Sequence, residues 1–175
     1  ISTKNFNTLI DGEHVLYDKH GKYINKYFAF DLYYYHKEDW RIYPFIFIDD
    51  MKYKIKMDIN KFRLKKLTEI INGLDVKSIT GKSLPMIISI KKFYSSKGDE
   101  VFKNAKIICS AIDDDLFEYE TDGLIFTPID KSVGSNLLGE KKPPIKQTWK
   151  HSFKWKPAEF NTVDFLVTTK KNENG

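Results

Sequence analysis

Apolar and polar positions along the chain alternate in short runs, and the period of the alternation changes several times. Residues 6–10 read as a strand broken by Asp11-Gly12, and Glu13 to Tyr17 resumes it. Asp18-Lys19-His20-Gly21 predicts a turn, because Asp and Gly accept the left-handed backbone of tight turns. Tyr23 to Tyr35 then reads as the returning strand of a hairpin. It is aromatic-rich and only partly alternating, which predicts cover on both faces. Further on the period becomes helical. Leu64, Leu67, Ile70 and Ile71 form one stripe with Phe62 off it, Asp58 is placed as the N-cap, and Gly73 as the stop. Residues 86–94 predict a strand. Val101, Phe102, Ala105, Ile108, Cys109 and Ile112 predict a second helix, capped by Asp99 and frayed at Asp113-Asp114-Asp115, where acidic side chains oppose the helix dipole. Short strands follow at 124–127, 151–156 and 162–168, with a loop over 134–144 and a polar tail over 170–175. Hairpins mixed with helices, without regular βαβ units, predict an α+β fold with mostly antiparallel sheets and flanking helices.

A chain of 175 residues can bury a substantial core, so one domain is the default. It opens Ile1-Ser2-Thr3 rather than on Met, which suggests an excised piece. No apolar run approaches the ~18 residues that span a membrane, and no signal-peptide pattern is present. The single cysteine, Cys109, has no internal disulfide partner, which fits a reducing compartment such as the cytoplasm. The net charge of +5, from 29 basic and 24 acidic side chains, is compatible with a polyanionic ligand without demanding one. Aromatics make up 15% and concentrate at 27–35 and 40–47.

Three segments carry candidate chemistry. In Leu9-Ile10-Asp11-Gly12-Glu13 a strand bends at Asp-Gly and puts a carboxylate beside exposed backbone, where it can accept from a ribose hydroxyl or approach a metal; a plain bulge has the same pattern. Glu120-Thr121-Asp122-Gly123-Leu124-Ile125-Phe126 repeats the theme, and a turn entering a core strand accounts for it equally. In Phe153-Lys154-Trp155-Lys156-Pro157 the period of two puts Lys154 and Lys156 on one face, about 7 Å apart, with Phe153 and Trp155 on the other. Such a pair can flank a phosphate, or simply face solvent from an edge strand.

Taken in order, these segments resemble the lysine-nucleophile nucleotidyltransferases, the superfamily of mRNA capping guanylyltransferases and polynucleotide ligases. Asp11-Gly12-Glu13 resembles motif III, Phe28-Ala29-Phe30-Asp31 motif IIIa, Asp122-Gly123-Leu124-Ile125-Phe126 motif IV, and Lys154-Trp155-Lys156 motif V. The resemblance runs from residue 9 to about residue 168. Ligases usually carry a lysine soon after the motif IV glycine, whereas this chain reads Phe126-Thr127-Pro128. The continuation Pro157-Ala158-Glu159-Phe160-Asn161-Thr162-Val163-Asp164-Phe165 also resembles capping enzymes, notably those of large DNA viruses.

The resemblance implies a partial nucleotidyltransferase domain over residues 1–169, and a tail or linker at 170–175 leading toward an OB-fold domain. It implies transfer of GMP from GTP, through a lysyl-GMP intermediate, to the diphosphate 5′ end of RNA, with Mg²⁺ or Mn²⁺ present. Lys154 and Lys156 would contact the α-phosphate, and Glu13 would hold the ribose or a metal. Phe30, with Phe28 in reserve, would stack on guanine. Asp122 would serve the metal or the protonation state of a lysine, and Lys91, or its neighbour Lys92, would read the base. The family nucleophile lies in Lys-x-Asp-Gly, which this chain lacks: Leu9 precedes Asp11-Gly12 and Glu120 precedes Asp122-Gly123. The expectation is therefore an inactive fragment that needs an upstream nucleophile segment and the OB-fold domain. In the viral lineage such a domain often sits between triphosphatase and methyltransferase domains, working in the cytoplasm, a viral factory or a virion. An ATP-dependent polynucleotide ligase piece and a non-catalytic nucleotide- or RNA-binding module remain the alternatives.

Overall fold

The computed structural model describes residues 5–48, 58, 60–74, 85–136 and 149–171. The first hairpin pairs β1 (Leu9–Tyr17) with β2 (Tyr23–Tyr35) in antiparallel fashion. Its turn forms as the sequence predicts: Asp18 Oδ1 accepts from the backbone N–H groups of His20 and Lys22 at 2.9 Å each, and Gly21 has φ +79°. Asp11-Gly12 does not break β1. The irregularity is absorbed by the partner strand. Ile10 pairs with Leu32 and Leu9 with Tyr34; Gly12 pairs with Ala29 and Asp11 with Asp31. Tyr33 and Phe30 are thus the extra residues of two β-bulges, which locally cancel the period of two.

The helix α1 (Arg63–Asn72) buries Leu67, Ile70 and Ile71, three of the four residues of the predicted stripe. Asp58 is not its cap. That side chain closes a turn upstream, accepting from Asn60 N at 2.9 Å, and the cap residue is the buried, extended Phe62. No side-chain cap is needed at the start because the N–H groups of Arg63 and Leu64 donate to the carbonyls of Pro44 and Phe45, each at 3.0 Å.

β3 (Glu38–Asp39) extends the sheet from β2, and β4 (Ile87–Ile90) pairs with β2 in parallel. The passage β2–α1–β4 is a βαβ crossover, one parallel pairing in sheets that are otherwise antiparallel, as the α+β expectation has it. The core follows from it. Ala29, Leu32 and Trp40 from the sheet side meet Leu67, Ile70 and Ile71 of α1, with Ile88 and Ile90 packed alongside. Only 87–90 of the expected strand 86–94 is paired.

The second helix, α2 (Glu100–Asp113), has the predicted bounds but no fully buried residue, and Phe102, expected on the apolar stripe, is 70% exposed. Asp99 makes no side-chain cap hydrogen bond. The acidic end is not frayed. Asp115, at φ +57°, donates its N–H to the Ile112 carbonyl at 2.9 Å, and Leu116 donates to Ala111 at 2.9 Å, the paired closure of a Schellman motif. Lys19 then bonds the Asp115 carbonyl at 2.6 Å and its carboxylate at 2.5 Å, placing a cation where the helix dipole favours one.

A separate two-stranded sheet joins β5 (Leu124–Phe126) to β6 (Phe153–Trp155). The chain then makes a 3-10 turn at Ala158–Phe160. Residues 162–168, expected as a strand, are unpaired and exposed: a strand requires a hydrogen-bonding neighbour, and the described residues supply none. Phe153 and Trp155, which a plain edge strand would pack inward, are 61% and 48% exposed because two strands alone leave a face uncovered. The expected loop 134–144 lies outside the described residues beyond 136, as does the tail beyond 171.

Candidate functional site

One face of the larger sheet is occupied by α1. Ala29 lies on that face, with Gly12 and Ile90 as its partners on the flanking strands. Their sequence neighbours Glu13, Phe28 and Lys91 therefore project from the opposite face. There they meet. Lys91 Nζ lies 3.4 Å from Glu13 Oε2 and 5.7 Å from the centre of the Tyr119 ring. Phe28 packs on Tyr119 with ring centroids 4.7 Å apart. Burial, with the Glu13 and Glu118 charges behind it, pushes the Tyr119 phenol up. Lys92 turns elsewhere and sits 4.8 Å over the Tyr94 ring. Phe30 is half-buried at its bulge, and no ring contact among the described residues joins it to this cluster.

Gly12 is required by a close approach. A Cβ there would come within 2.5 Å of Tyr27 Cζ and 2.7 Å of the Phe28 carbonyl oxygen. Its neighbour Asp11 is engaged internally: it accepts from Gly12 N at 3.0 Å and from the Tyr33 hydroxyl at 2.6 Å. Burial and the Asp11 carboxylate together push the Tyr33 phenol far above its ordinary range.

The second cluster is built on β5 and β6. Ile125 pairs with Lys154 and Leu124 with Trp155, so the residue just past β6, Lys156, arrives beside Asp122 and bonds its Oδ2 at 2.5 Å. Gly123 permits this. Its φ is +137°, and a Cβ would strike the Trp155 carbonyl oxygen and stand 3.0 Å from Lys156 Cα. The Lys156 ammonium beside Asp122 holds that carboxyl below its ordinary 3.8, and Lys154 adds a weaker pull. Lys154 is exposed, and among the described residues it has no ion-pair partner.

No described contact joins Glu13 to Asp122 or Lys156. The two clusters are linked through the backbone, since Tyr119 belongs to the first and Asp122 follows it by three residues, at most about 11 Å between Cα atoms. Two surface hollows lie elsewhere, one lined by Phe6, Asn7, His36 and Lys37, the other along α2. Neither is lined by Glu13, Phe30, Asp122, Lys154 or Lys156. Among the described residues no group of three or more His, Cys, Asp or Glu side chains could hold a metal ion. Glu13 and Asp122 are single, exposed oxygen donors, each beside a lysine. No described helix is long and apolar enough to cross a membrane.

Tyr119 is the member that the sequence pattern did not single out. The signal available was its place, an aromatic immediately before Glu120-Thr121-Asp122-Gly123.

The chain is similar to a protein of Acanthamoeba polyphaga mimivirus named "Probable mRNA-capping enzyme", at 30% identity over 103 residues. The similarity takes in 57% of this chain and 8% of that much longer protein. No protein-family profile matches the chain, and no solved structure matches it.

Proposed function

We propose that this chain is part of an mRNA guanylyltransferase that moves GMP from GTP to the diphosphate 5′ end of RNA. The observation that carries the reading is the contact of Lys156 with Asp122, with Lys154 two residues away, in a segment that resembles the phosphate-binding motif of capping enzymes. Similarity to a viral protein named as a probable capping enzyme supports the same assignment.

In this reading a lysine amine attacks the α-phosphorus of GTP. The bond to the pyrophosphate oxygen breaks, the amine gives up a proton, and lysyl-GMP forms. A terminal phosphate oxygen of the RNA then attacks the same phosphorus, the P–N bond breaks, and the lysine regains its proton. Splitting one transfer into two lowers each barrier. Lys154 and Lys156 offset charge gathering on the α-phosphoryl oxygens. Asp122 keeps Lys156 oriented between turnovers. Glu13 accepts from the ribose, Lys91 reads the guanine edge, and the base stacks on the aromatic side of β2, at Phe30 or at Phe28 beside it.

A divalent Mg²⁺ or Mn²⁺ suits the oxygen donors Glu13 and Asp122; with so few protein ligands at hand, it would draw most of its coordination from phosphate and water. Its chemistry would be charge neutralisation at the phosphates.

The attacking lysine is not in Lys-x-Asp-Gly here, since the chain has no such sequence. The proposal therefore places it, and the OB-fold lid, on other residues of a longer protein. The test is incubation with α-labelled GTP and Mg²⁺. A longer polypeptide holding both Lys-x-Asp-Gly and these residues is expected to retain label through denaturing electrophoresis, and Lys156→Ala to remove most of it. Residues 1–175 alone are expected to stay unlabelled. Near-normal labelling of the Lys156 variant would remove that residue from the site, and preference for ATP over GTP would move the chain to the ligases.

A further inference from the structure

The hollow along α2 is open, about 570 Å³ in volume, and its lining includes Tyr94, Lys103, Lys106, Ile107, Asp114 and Leu116. Two stretches of chain run from it to the first cluster of the candidate site. Tyr94 follows Lys91 by three residues, and Leu116 precedes Tyr119 by three. Each stretch spans at most about 11 Å, so the hollow begins within roughly one nucleotide step or two of the Lys91–Tyr119 contact.

Its lining surface is mostly apolar, with ammonium groups along the rim. Lys103 has an exposed side chain with one loose contact, to Glu100 at 3.9 Å, and Lys106 has no ion-pair partner among the described residues. Lys92, outside the lining, holds a third ammonium 4.8 Å over the Tyr94 ring. Asp114 is the one acidic residue in the lining. Ile107 and Leu116 are 52% and 73% exposed, and no residue of α2 is fully buried, so this helix contributes little to the core. A groove with ammonium groups spaced one helical turn apart, a tyrosine face and apolar shoulders matches single-stranded nucleic acid. Cations follow the phosphates of such a strand, and bases stack on the aromatic.

We propose that the α2 hollow binds the 5′-proximal nucleotides of a single-stranded RNA, with Lys92, Lys103 and Lys106 on phosphates and Tyr94 against a base. This rests on the guanylyltransferase reading for the identity of the strand, an RNA 5′ end. An apolar peptide is the competing occupant; the two helix lysines at the rim, with Lys92 beside Tyr94, favour RNA.

The experiment measures binding of a 3′-fluorescein, 5′-diphosphate 12-nucleotide RNA to the 175-residue chain by anisotropy over a range of salt. The comparison is with Lys103→Glu/Lys106→Glu and, separately, Tyr94→Leu, each checked for unchanged thermal unfolding. The double variant is expected to bind at least tenfold more weakly, and its log–log salt slope to fall by about 1.4, from the loss of two phosphate contacts. Tyr94→Leu is expected to lose about fivefold or more at unchanged slope. An unaltered affinity and slope in the double variant overturns the proposal and leaves the hollow to an apolar partner. GMP labelling of the longer polypeptide reports separately on the guanylyltransferase reading. That labelling can fail while this RNA binding holds, and the reverse.

Discussion

Arg63 closes two parallel hydrogen bonds on Asp31, Nε to Oδ1 at 2.7 Å and Nη2 to Oδ2 at 3.0 Å, with the guanidinium side chain wholly buried. The same guanidinium donates to the carbonyl oxygens of Tyr43 and Lys131 and stacks 5.2 Å over Phe45. Asp31 belongs to the segment that resembles motif IIIa, and this geometry assigns it to the scaffold: it ties β2 to the start of α1 and to two loops. Removing one partner leaves the other charged, buried and unpaired. Arg63→Met is expected to destabilise the fold by about 3–5 kcal/mol, read as a lower urea midpoint at unchanged slope. The double change Asp31→Leu/Arg63→Met is expected to recover part of that loss, because no isolated charge remains.

Lys19 holds the end of α2 through both the carbonyl and the carboxylate of Asp115. The cation lies at the negative end of the helix dipole and its side chain is only 15% exposed. Lys19→Met is expected to release that turn at a cost of about 1–2 kcal/mol locally. Hydrogen exchange should report it, with faster exchange at the Asp115 and Leu116 amides and little change at Leu67 or Ile70. Uniform acceleration across the protein would mean that the contact supports the whole fold.

The parts of this fold legible from sequence are those whose signal is local. The stripe of Leu64, Leu67, Ile70 and Ile71 predicts α1 because its periodicity needs only the helix itself, and the Asp18-to-Gly21 turn is set by its own side chains. Features decided by a distant partner were not legible. Arg63 reads as an ordinary surface cation at a helix start until Asp31, 32 residues away, is brought to it. The parallel pairing of β4 on β2 has no pattern in either strand, and residues 162–168 have strand-forming composition without a strand beside them. In the candidate site the motif positions Glu13, Asp122 and Lys156 were visible. Tyr119 was not, and parity alone could not separate Phe28 from Phe30, because the bulge at Phe30 breaks the alternation that parity assumes.

Gly123 sets the position of Lys156. At φ +137° an alanine is strained whatever space surrounds it, and here its Cβ would also meet the Trp155 carbonyl. Gly123→Ala is expected to part β5 from β6 and draw Lys156 away from Asp122, while the α1 core stays intact. Amide exchange should rise at Ile125 and Lys154 only. Within the proposed function, guanylylation of the longer enzyme should fall as far as it does for Lys156→Ala.

Asp122 gives a test by titration. Its hydrogen bond from Lys156, with the weaker field of Lys154, places its folded pKa below 3.8. For a carboxylate with a depressed pKa, the linked stability is present above the unfolded value and is lost as pH falls through the folded one. The dependence is thus confined to strongly acid solution, and from pH 5 upward the pair contributes a constant, small amount because both side chains are solvent-exposed. A carbon-detected NMR titration should place the Asp122 midpoint below 3.8 and return it toward that value in Lys156→Met. Lys154→Met should move it less. Equal shifts in the two variants would mean that a general field, rather than the contact at 2.5 Å, controls Asp122.

Lys91 and Lys92 are adjacent, and their side chains diverge, one to Glu13 and Tyr119, the other to Tyr94. If the first cluster holds the guanosine, the two lysines separate functionally. Lys91→Met should weaken nucleotide binding by about tenfold or more, the cost of one hydrogen bond to a charged donor. It should also erode discrimination of GTP from ATP, since the lost contact is to the base edge. Lys92→Met should leave nucleotide affinity within about twofold and instead weaken RNA binding. Competition binding of GTP and ATP to the longer enzyme, alongside the RNA anisotropy measurement, resolves both effects. A Lys92 variant that loses GTP while Lys91→Met retains it would reverse the assignment and move the base to the Tyr94 side.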